Sequence, residues 1–172
     1  RHEYDAKNIS IRDLYETYLP AFKTLVKEGN VKEVMCAYNR FEGEPCCGSD
    51  QLLVKILREE WDYQGIVVSD CWAINDFYNK RAHATHPDSA SASADAVLSG
   101  TDLECGGSYE SLVDGVKRGL ISEADIDVSV KRLLKGRFEL GEMDELKDVK
   151  WAQIPYSVVA SAKHDSLALD IA

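Results

Sequence analysis

The residues of this chain that could do chemistry stand at the ends of three short apolar runs. Ile66-Val67-Val68-Ser69 is a β-branched run that ends on a carboxylate, Asp70. A charge at the edge of an apolar layer is costly unless hydrogen bonds or a bound molecule stabilise it. The other two runs end at Tyr38-Asn39 and at Asp102 and Glu104. An ionised carboxylate in such a place can serve as nucleophile or base. Tyr38, Trp72 and Tyr109 offer flat faces with polar edges, which suit a sugar ring, and Arg1, Asn39, Asp102 and Glu104 can hydrogen-bond hydroxyls. Each has a local alternative: Asp70 as a helix N-cap or loop ion-pair partner, Trp72 as a packing residue.

Other reactive types are less organised. Histidines 2, 83, 86 and 164 show no HExxH or comparable ligand spacing, so solvated or loop roles are expected for them. Gly106-Gly107 lacks the spacing of a phosphate loop. The five cysteines, at 36, 46, 47, 71 and 105, match no paired CxxC framework, and an odd number leaves at least one thiol free if all pairing is internal. They are expected as small buried residues near strand ends rather than as a zinc site, with a single disulfide among Cys46, Cys47 and Cys71 open in an oxidising compartment.

Positioning these residues requires strands and helices in alternation. Ser10 followed by Asp13 resembles a capping box, and a helix is expected over residues 11–28, kinked or restarted at Pro20 and ended by Gly29. The run 34–38 reads as a strand buried on both faces, and Ser49 can cap a helix over 50–60. After the 66–70 strand comes a stretch without a clear element through Trp72, Tyr78, His83 and Pro87. A helix over 90–98, capped near Asp88 or Ser89, then leads to a third strand at 101–105. Helices follow around Leu112 to Val116 and from Ser122 to Gly141, and the segment 157–172 reads as a last, alanine-rich helix.

This order is that of parallel βαβ units. The strand ends at Tyr38, Asp70 and Glu104 fall 32 and 34 residues apart, close to the roughly 31 per unit of an eightfold barrel. An open doubly wound sheet has similar steps, so spacing gives the barrel only a modest preference. Three strands cannot close a barrel. The fold expected is therefore α/β, a partial (β/α)8 TIM-type barrel of about three units belonging to a larger enzyme. Its open strand edges are expected to be covered by its own helices or by another copy in a homo-oligomer. The ends agree: the chain starts without an initiator Met and stops within a helical segment, so a piece of a longer protein is expected.

Composition narrows the partners. Of 172 residues, 45% are hydrophobic and the formal net charge is −10. No run of about 18 uncharged apolar residues exists, so no membrane partner is expected, and a disordered tail is excluded. An acidic chain with scattered Lys and Arg lacks the basic face that nucleic acid needs. A negative field favours an uncharged small substrate.

Four stretches taken together resemble glycoside hydrolase family 3, the exo-acting β-glucosidases and β-xylosidases. They are "RDLYETYLPAFKTLVKEGNVKEVMCAYNRFEGEPCC", "LLVKILREEWDYQGIVVSDCWAI", "ADAVLSGTDLEC" and "LVDGVKRGLISEADIDVSVKRLLKGRFELG". The resemblance covers nearly the whole chain in order. It implies that residues 1–144 are the C-terminal portion of the family's N-terminal barrel domain, and that 145–172 are a linker and helix leading toward a second domain.

By the same resemblance Asp70 in "VVSD" is the catalytic nucleophile of a retaining mechanism, which needs no metal or organic cofactor. Tyr38 in "CAYN" is similar to the tyrosine beside the nucleophile. Arg1 resembles an arginine that binds sugar hydroxyls, and Trp72, for its flat face near the strand end, is expected to contact the substrate. The implied substrate is an oligosaccharide or β-glycoside cut at its terminal non-reducing unit. Glucosidase-type members commonly have Trp directly after the nucleophile, whereas Cys71 intervenes here, as in xylosidase-type members. The general acid/base has no match in this chain, so the chain alone is expected to be without turnover. Two other readings stand beside this one: a carbohydrate-binding or scaffold piece without hydrolysis, and an unrelated α/β enzyme using Asp102 or Glu104 as its acid.

Overall fold

Two short parallel strands, Glu33–Cys36 and Ile66–Ser69, form the centre of the fold, with Val34 opposite Val67 and Cys36 opposite Ser69. The structure is a computed structural model describing residues 2–172, and Arg1 lies outside the described residues. A helix, Asp50–Glu60, makes the crossover between the two strands. Ser49 caps it by accepting a hydrogen bond from Leu52 N at 3.3 Å. Its turns are wide, of the π type, and it closes with Trp61 N donating to Ile56 O at 3.0 Å. Leu53, Ile56 and Leu57 turn inward and pack with Trp61, Tyr63, Val67 and Phe77 in the core.

The chain then passes through the helices Ala73–Tyr78 and Ser89–Leu98 to a third strand position. Asp88 caps the second of these helices, accepting from Ser91 N at 2.9 Å. The third strand is shorter than the run 101–105 predicts. Asp102 N and Leu103 N both donate to Val67 O, at 2.8 and 3.1 Å, and Ser69 N donates to Leu103 O at 2.8 Å. Because two successive N–H groups share one carbonyl, the ladder does not repeat, and a single parallel bridge, Val68 to Leu103, remains. The order of three adjacent parallel positions is nevertheless that of a partial α/β barrel.

Period-two alternation divides the sheet into unlike faces. Val34, Cys36, Val67 and Ser69 share the covered face, and Met35 and Val68 lie on the more open one. Met35 is 58% exposed, so the first strand is not buried on both faces as the sequence implies; it pairs along one edge only among the described residues.

A second small sheet escapes the sequence reading. Asp5–Ala6 pairs parallel with Arg40–Phe41, which pairs antiparallel with Glu44–Pro45. Glu42 and Gly43, at φ 50° and 94°, make the tight turn of that hairpin. Also unforeseen is the helix Ala73–Tyr78, which has buried Ala73, Ile74 and Phe77 on its inner side.

At the start of the chain, Ser10 accepts from Asp13 N at 3.0 Å, and Ile11–Asp13, a wide turn at Leu14–Tyr18 and Pro20–Lys27 follow in succession. Pro20 starts the last of these, where no N–H is required of it. The long helix Glu123–Glu139 begins from Ser122 and Asp125, whose side chains bond each other's backbone N–H groups. The chain divides into two compact units, residues 1–136 and 137–172. In the second, Tyr156–Val158 forms a single turn and the helix spans Ala162–Ile171. The helix expected from 157 is interrupted because Ala160 takes a left-handed φ of 53°. No helix among the described residues is long and apolar enough to cross a membrane.

Candidate active site

Asp70 follows the last residue of the central strand, and its N–H donates to Cys36 O of the neighbouring strand at 3.2 Å. This is the carboxyl end of a parallel sheet, where reacting groups collect in such folds. The half-buried side chain accepts from Cys71 N through Oδ1 at 2.7 Å. Its second oxygen accepts no hydrogen bond among the described residues.

The turn after Asp70 is tied down at several points. Cys71 forms a disulfide with Cys105, and Trp72 N donates to Cys105 O at 2.6 Å. Cys105 N in turn donates to Ser69 Oγ at 3.0 Å. The Tyr38 hydroxyl donates to the Cys71 carbonyl, and its ring meets His2 edge-on at 4.9 Å. Through this bond Tyr38 orients the backbone beside Asp70. His2 Nδ1 lies 2.5 Å from Asp76 Oδ2.

Trp72 has φ 66°, a left-handed conformation that costs an aromatic residue free energy and persists only when its surroundings impose it. Its side chain is among the more exposed aromatics at 61%, beside Gly107, where an added Cβ would lie 3.9 Å from the indole. Asp70, Tyr38 and Trp72 are thus brought together, while Arg1 lies outside the described residues.

The other candidates are occupied elsewhere. Asp102 is buried and accepts from Arg58 at 2.7 Å, Arg132 at 2.8 Å, Ser129 at 3.0 Å and Val67 N at 2.9 Å. Glu104 accepts from Ser108 N at 2.9 Å and Tyr109 N at 2.6 Å, holding a local turn. These bonds leave the reading with Asp102 or Glu104 as an acid without geometric support. Tyr109 is no sugar platform: its hydroxyl donates to Thr101 O at 2.7 Å, and burial pushes the phenol well above its usual range. Asn39 donates to Arg40 O at 2.9 Å and to Cys46 Sγ at 3.6 Å.

The histidines and cysteines need correction too. His83 lies in a turn, as a loop role implies, but it is 6% exposed rather than solvated, neither of its ring nitrogens has a hydrogen-bond partner among the described residues, and burial lowers its pKa. Cysteines 46, 47 and 71 do not pair among themselves. The bridges are Cys36–Cys47 and Cys71–Cys105, and Cys46 is the buried free thiol, with its pKa pushed up to about 11 by burial and the nearby Asp5 charge. The first bridge ties the end of the first strand to the short turn Cys46–Gly48, and the second joins two residues just beyond strand ends, pairings that sequence separation does not reveal. A cavity of about 460 Å³ lies beside the first strand, lined by Phe22, Met35, Leu52 and Trp61 among other mostly apolar groups. Glu33 is the one charged residue of that lining, so the cavity offers few of the polar groups that would bind sugar hydroxyls.

The sequence pattern of the glycosyl hydrolase family 3 N terminal domain matches residues 1–135. The chain belongs to glycoside hydrolase family 3. It is 50% identical over its whole length to a xylan 1,4-beta-xylosidase of Xylanibacter ruminicola, of which it covers 20%. It is 34% identical to beta-D-xylosidase 1 of Arabidopsis thaliana, covering 22% of that protein.

Among solved structures, a family 3 exo-beta-xylosidase in complex with a xylobiose aziridine activity-based probe superposes with TM-score 0.86 at 30% identity, over 98% of this chain and 22% of that one. A beta-glucosidase from Listeria innocua in complex with glucose gives 0.82 at 26% identity, over 96% and 22%. The chain thus spans about a fifth of the length of the relatives it matches. The fold is that of part of the family's barrel domain.

Proposed function

We propose that this chain carries the nucleophile of a retaining, exo-acting β-glycosidase that removes terminal units from the non-reducing ends of β-linked saccharides, with β-xylosides favoured over β-glucosides. The observation that carries the reading is the Asp70 carboxylate, with one oxygen fixed by Cys71 N and the other without a hydrogen-bond partner among the described residues. The free oxygen attacks the anomeric carbon, forming a glycosyl ester as the leaving oxygen departs with a proton from a general acid. Water, deprotonated by the same group acting as base, then hydrolyses the ester. The two carboxyl groups of such a mechanism stand about 5–5.5 Å apart, and the second one belongs, in this reading, to a domain beyond residue 172.

Tyr38 and Trp72 support the sugar, the first by fixing the wall behind Asp70 and the second as an exposed aromatic face. Arg1 is assigned to sugar hydroxyls on the family resemblance alone. The xyloside preference rests on Cys71 standing between Asp70 and Trp72 and on the activities that the names of the relatives state. In the same reading residues 1–144 belong to the barrel domain and 145–172 lead out of it.

The test uses an enzyme of the relatives' length that contains these 172 residues, inactivated with a 2-deoxy-2-fluoro-xylosyl fluoride and digested for mass mapping. The expected adduct is on the peptide containing Asp70, and Asp70→Asn should lower kcat by at least about ten-thousand-fold. Labelling of a different carboxylate, or none in an active enzyme, rejects the assignment. Tight sugar binding without turnover would instead favour a carbohydrate-binding module.

A further inference from the structure

We infer that the Cys71–Cys105 bridge is a positioning clamp for Asp70 that solvent reductants can open while the rest of the fold stays intact. The inference rests on the assignment of Asp70 as nucleophile and adds to it a pair of residues that act through the turn rather than on the substrate.

The two disulfides lie in opposite environments. Cys36 and Cys47 are 5% and 0% exposed, inside the core, with Cys47 Sγ 3.6 Å from Ala37 O and Cys36 Sγ 3.5 Å from Val68 O. Cys71 is exposed and Cys105 half-buried, at the rim where Asp70 sits. Exchange requires a thiolate to approach a sulfur, so access selects the rim bridge. Cys46 is a poor internal attacker on its neighbouring bridge, because a thiol with a pKa near 11 is almost wholly protonated at neutral pH.

Opening the rim bridge has a local consequence. Asp70 Oδ1 is held by Cys71 N, so movement of Cys71 moves the carboxylate's only fixed point among the described residues. The left-handed Trp72 follows, held on one side by its bond to Cys105 O. The strand beneath keeps its own ladder, since Ser69 N still donates to Leu103 O and Asp70 N to Cys36 O. The turn then rests on the Tyr38 bond to the Cys71 carbonyl and the Trp72 bond to Cys105 O, and it loosens without the sheet separating.

The chemistry is ordinary thiol–disulfide exchange. A thiolate of a dithiol reductant bonds to one cysteine sulfur, the S–S bond breaks, and the other cysteine leaves as thiolate. The reductant's second thiolate then closes its ring on the mixed disulfide and releases the first cysteine. Two electrons pass to the protein, the two thiolates take up protons from water, and the dithiol becomes a cyclic disulfide.

The first measurement uses an enzyme of the relatives' full length under native conditions: timed exposure to dithiothreitol, alkylation, mass mapping of Cys36, Cys47, Cys71 and Cys105, and far-ultraviolet circular dichroism alongside. The expected result is modification of Cys71 and Cys105 at least tenfold faster than of Cys36 and Cys47, with the dichroism unchanged. Equal rates, the opposite order, or loss of dichroism together with Cys71 labelling would overturn the inference.

The second uses the same enzyme. Mild reduction should lower kcat for an aryl β-xyloside at least fivefold with KM within about twofold, and reoxidation should restore it. The paired substitution Cys71→Ser with Cys105→Ser should give the reduced enzyme's kcat and no further response to reductant. An unchanged kcat after complete reduction of this bridge refutes the positioning role. If fluoroglycoside trapping fails at Asp70 while the labelling order holds, it is the nucleophile assignment that has failed and not the selective opening of the bridge.

Discussion

The Asp102 carboxylate, fully buried, meets Arg58 at 2.7 Å on one oxygen and Arg132 at 2.8 Å on the other. Arg58 also donates to the carbonyls of Tyr63, Gly65 and Gly100, so one guanidinium ties the approach to the central strand to the approach to the third. Burial pulls the Arg58 pKa down, and the adjacent Asp102 charge opposes that shift. Replacing Asp102 with Asn would leave two arginines facing a neutral group in the interior. The expected loss is about 3–5 kcal/mol of unfolding free energy, read by urea titration. A loss under about 1 kcal/mol would show that water reaches the arginines and that the network contributes little.

Asp102 and Asp70 also show where the sequence stops being informative. Both are aspartates next to strand residues, and both read as rim carboxylates. What separates them is whether a cation waits nearby, and Arg58 and Arg132 lie 44 and 30 residues away in sequence. Local devices were legible because their partners are local: Ser10, Ser49, Asp88 and Ser122 announce helix starts within three residues of the bond each one makes. The β-branched run before Asp70 likewise gave the nucleophile candidate its place. The cysteine pairs were not legible, since Cys71 and Cys105 meet only once two strand ends lie side by side. His83 illustrates the same limit, its burial being decided by a helix over 73–78 whose short apolar pattern does not stand out.

Asp88 gives a pH test with a defined sign. Its bond from Ser91 N, and then the ion pair with Arg118 at 3.0 Å, hold its pKa down to about 2. A carboxylate whose pKa is depressed in the folded state stabilises the fold above its unfolded value, near 4, and that contribution is lost as pH falls through the folded value. Asp88→Ala should therefore melt below the parent at about pH 7, and the gap should narrow progressively between about pH 4 and about pH 2. Thermal melts of the two proteins across that range check it; a gap that stays constant would assign the effect to helix geometry rather than charge.

Two glycines predict opposite outcomes for the same substitution. A Cβ on Gly48 would come within 2.6 Å of Asp95 Oδ2 and 2.9 Å of the Phe77 ring, in a fully buried position. Gly48→Ala should cost about 1–3 kcal/mol through overpacking. Gly115 lies within the helix Leu112–Lys117, and its added Cβ would meet Ile121 at 3.4 Å, an ordinary contact. Gly115→Ala should gain up to about 1 kcal/mol from backbone entropy and helix propensity. Denaturant midpoints of both variants, measured together, test the packing around the helix Ser89–Leu98; a loss at both would mean that Ile121 cannot yield.

Trp72 sets stability against function in a single side chain. Its backbone at φ 66° stores strain that Asn tolerates better, while its 61% exposure means that little apolar burial is lost on replacement. Trp72→Asn should therefore unfold at an equal or higher denaturant concentration, with a gain of up to about 1 kcal/mol. In the enzyme of full relative length the same change removes the aromatic face from the proposed sugar site. KM for an aryl β-xyloside should rise about tenfold, corresponding to roughly 1.4 kcal/mol of lost stacking. A natural residue that strains its own turn and is relieved by replacement at the expense of binding is one retained for the ligand. If Trp72→Asn instead destabilises the fold by more than about 1 kcal/mol with KM unchanged, the indole's contact beside Gly107 is structural and Trp72 drops out of the site.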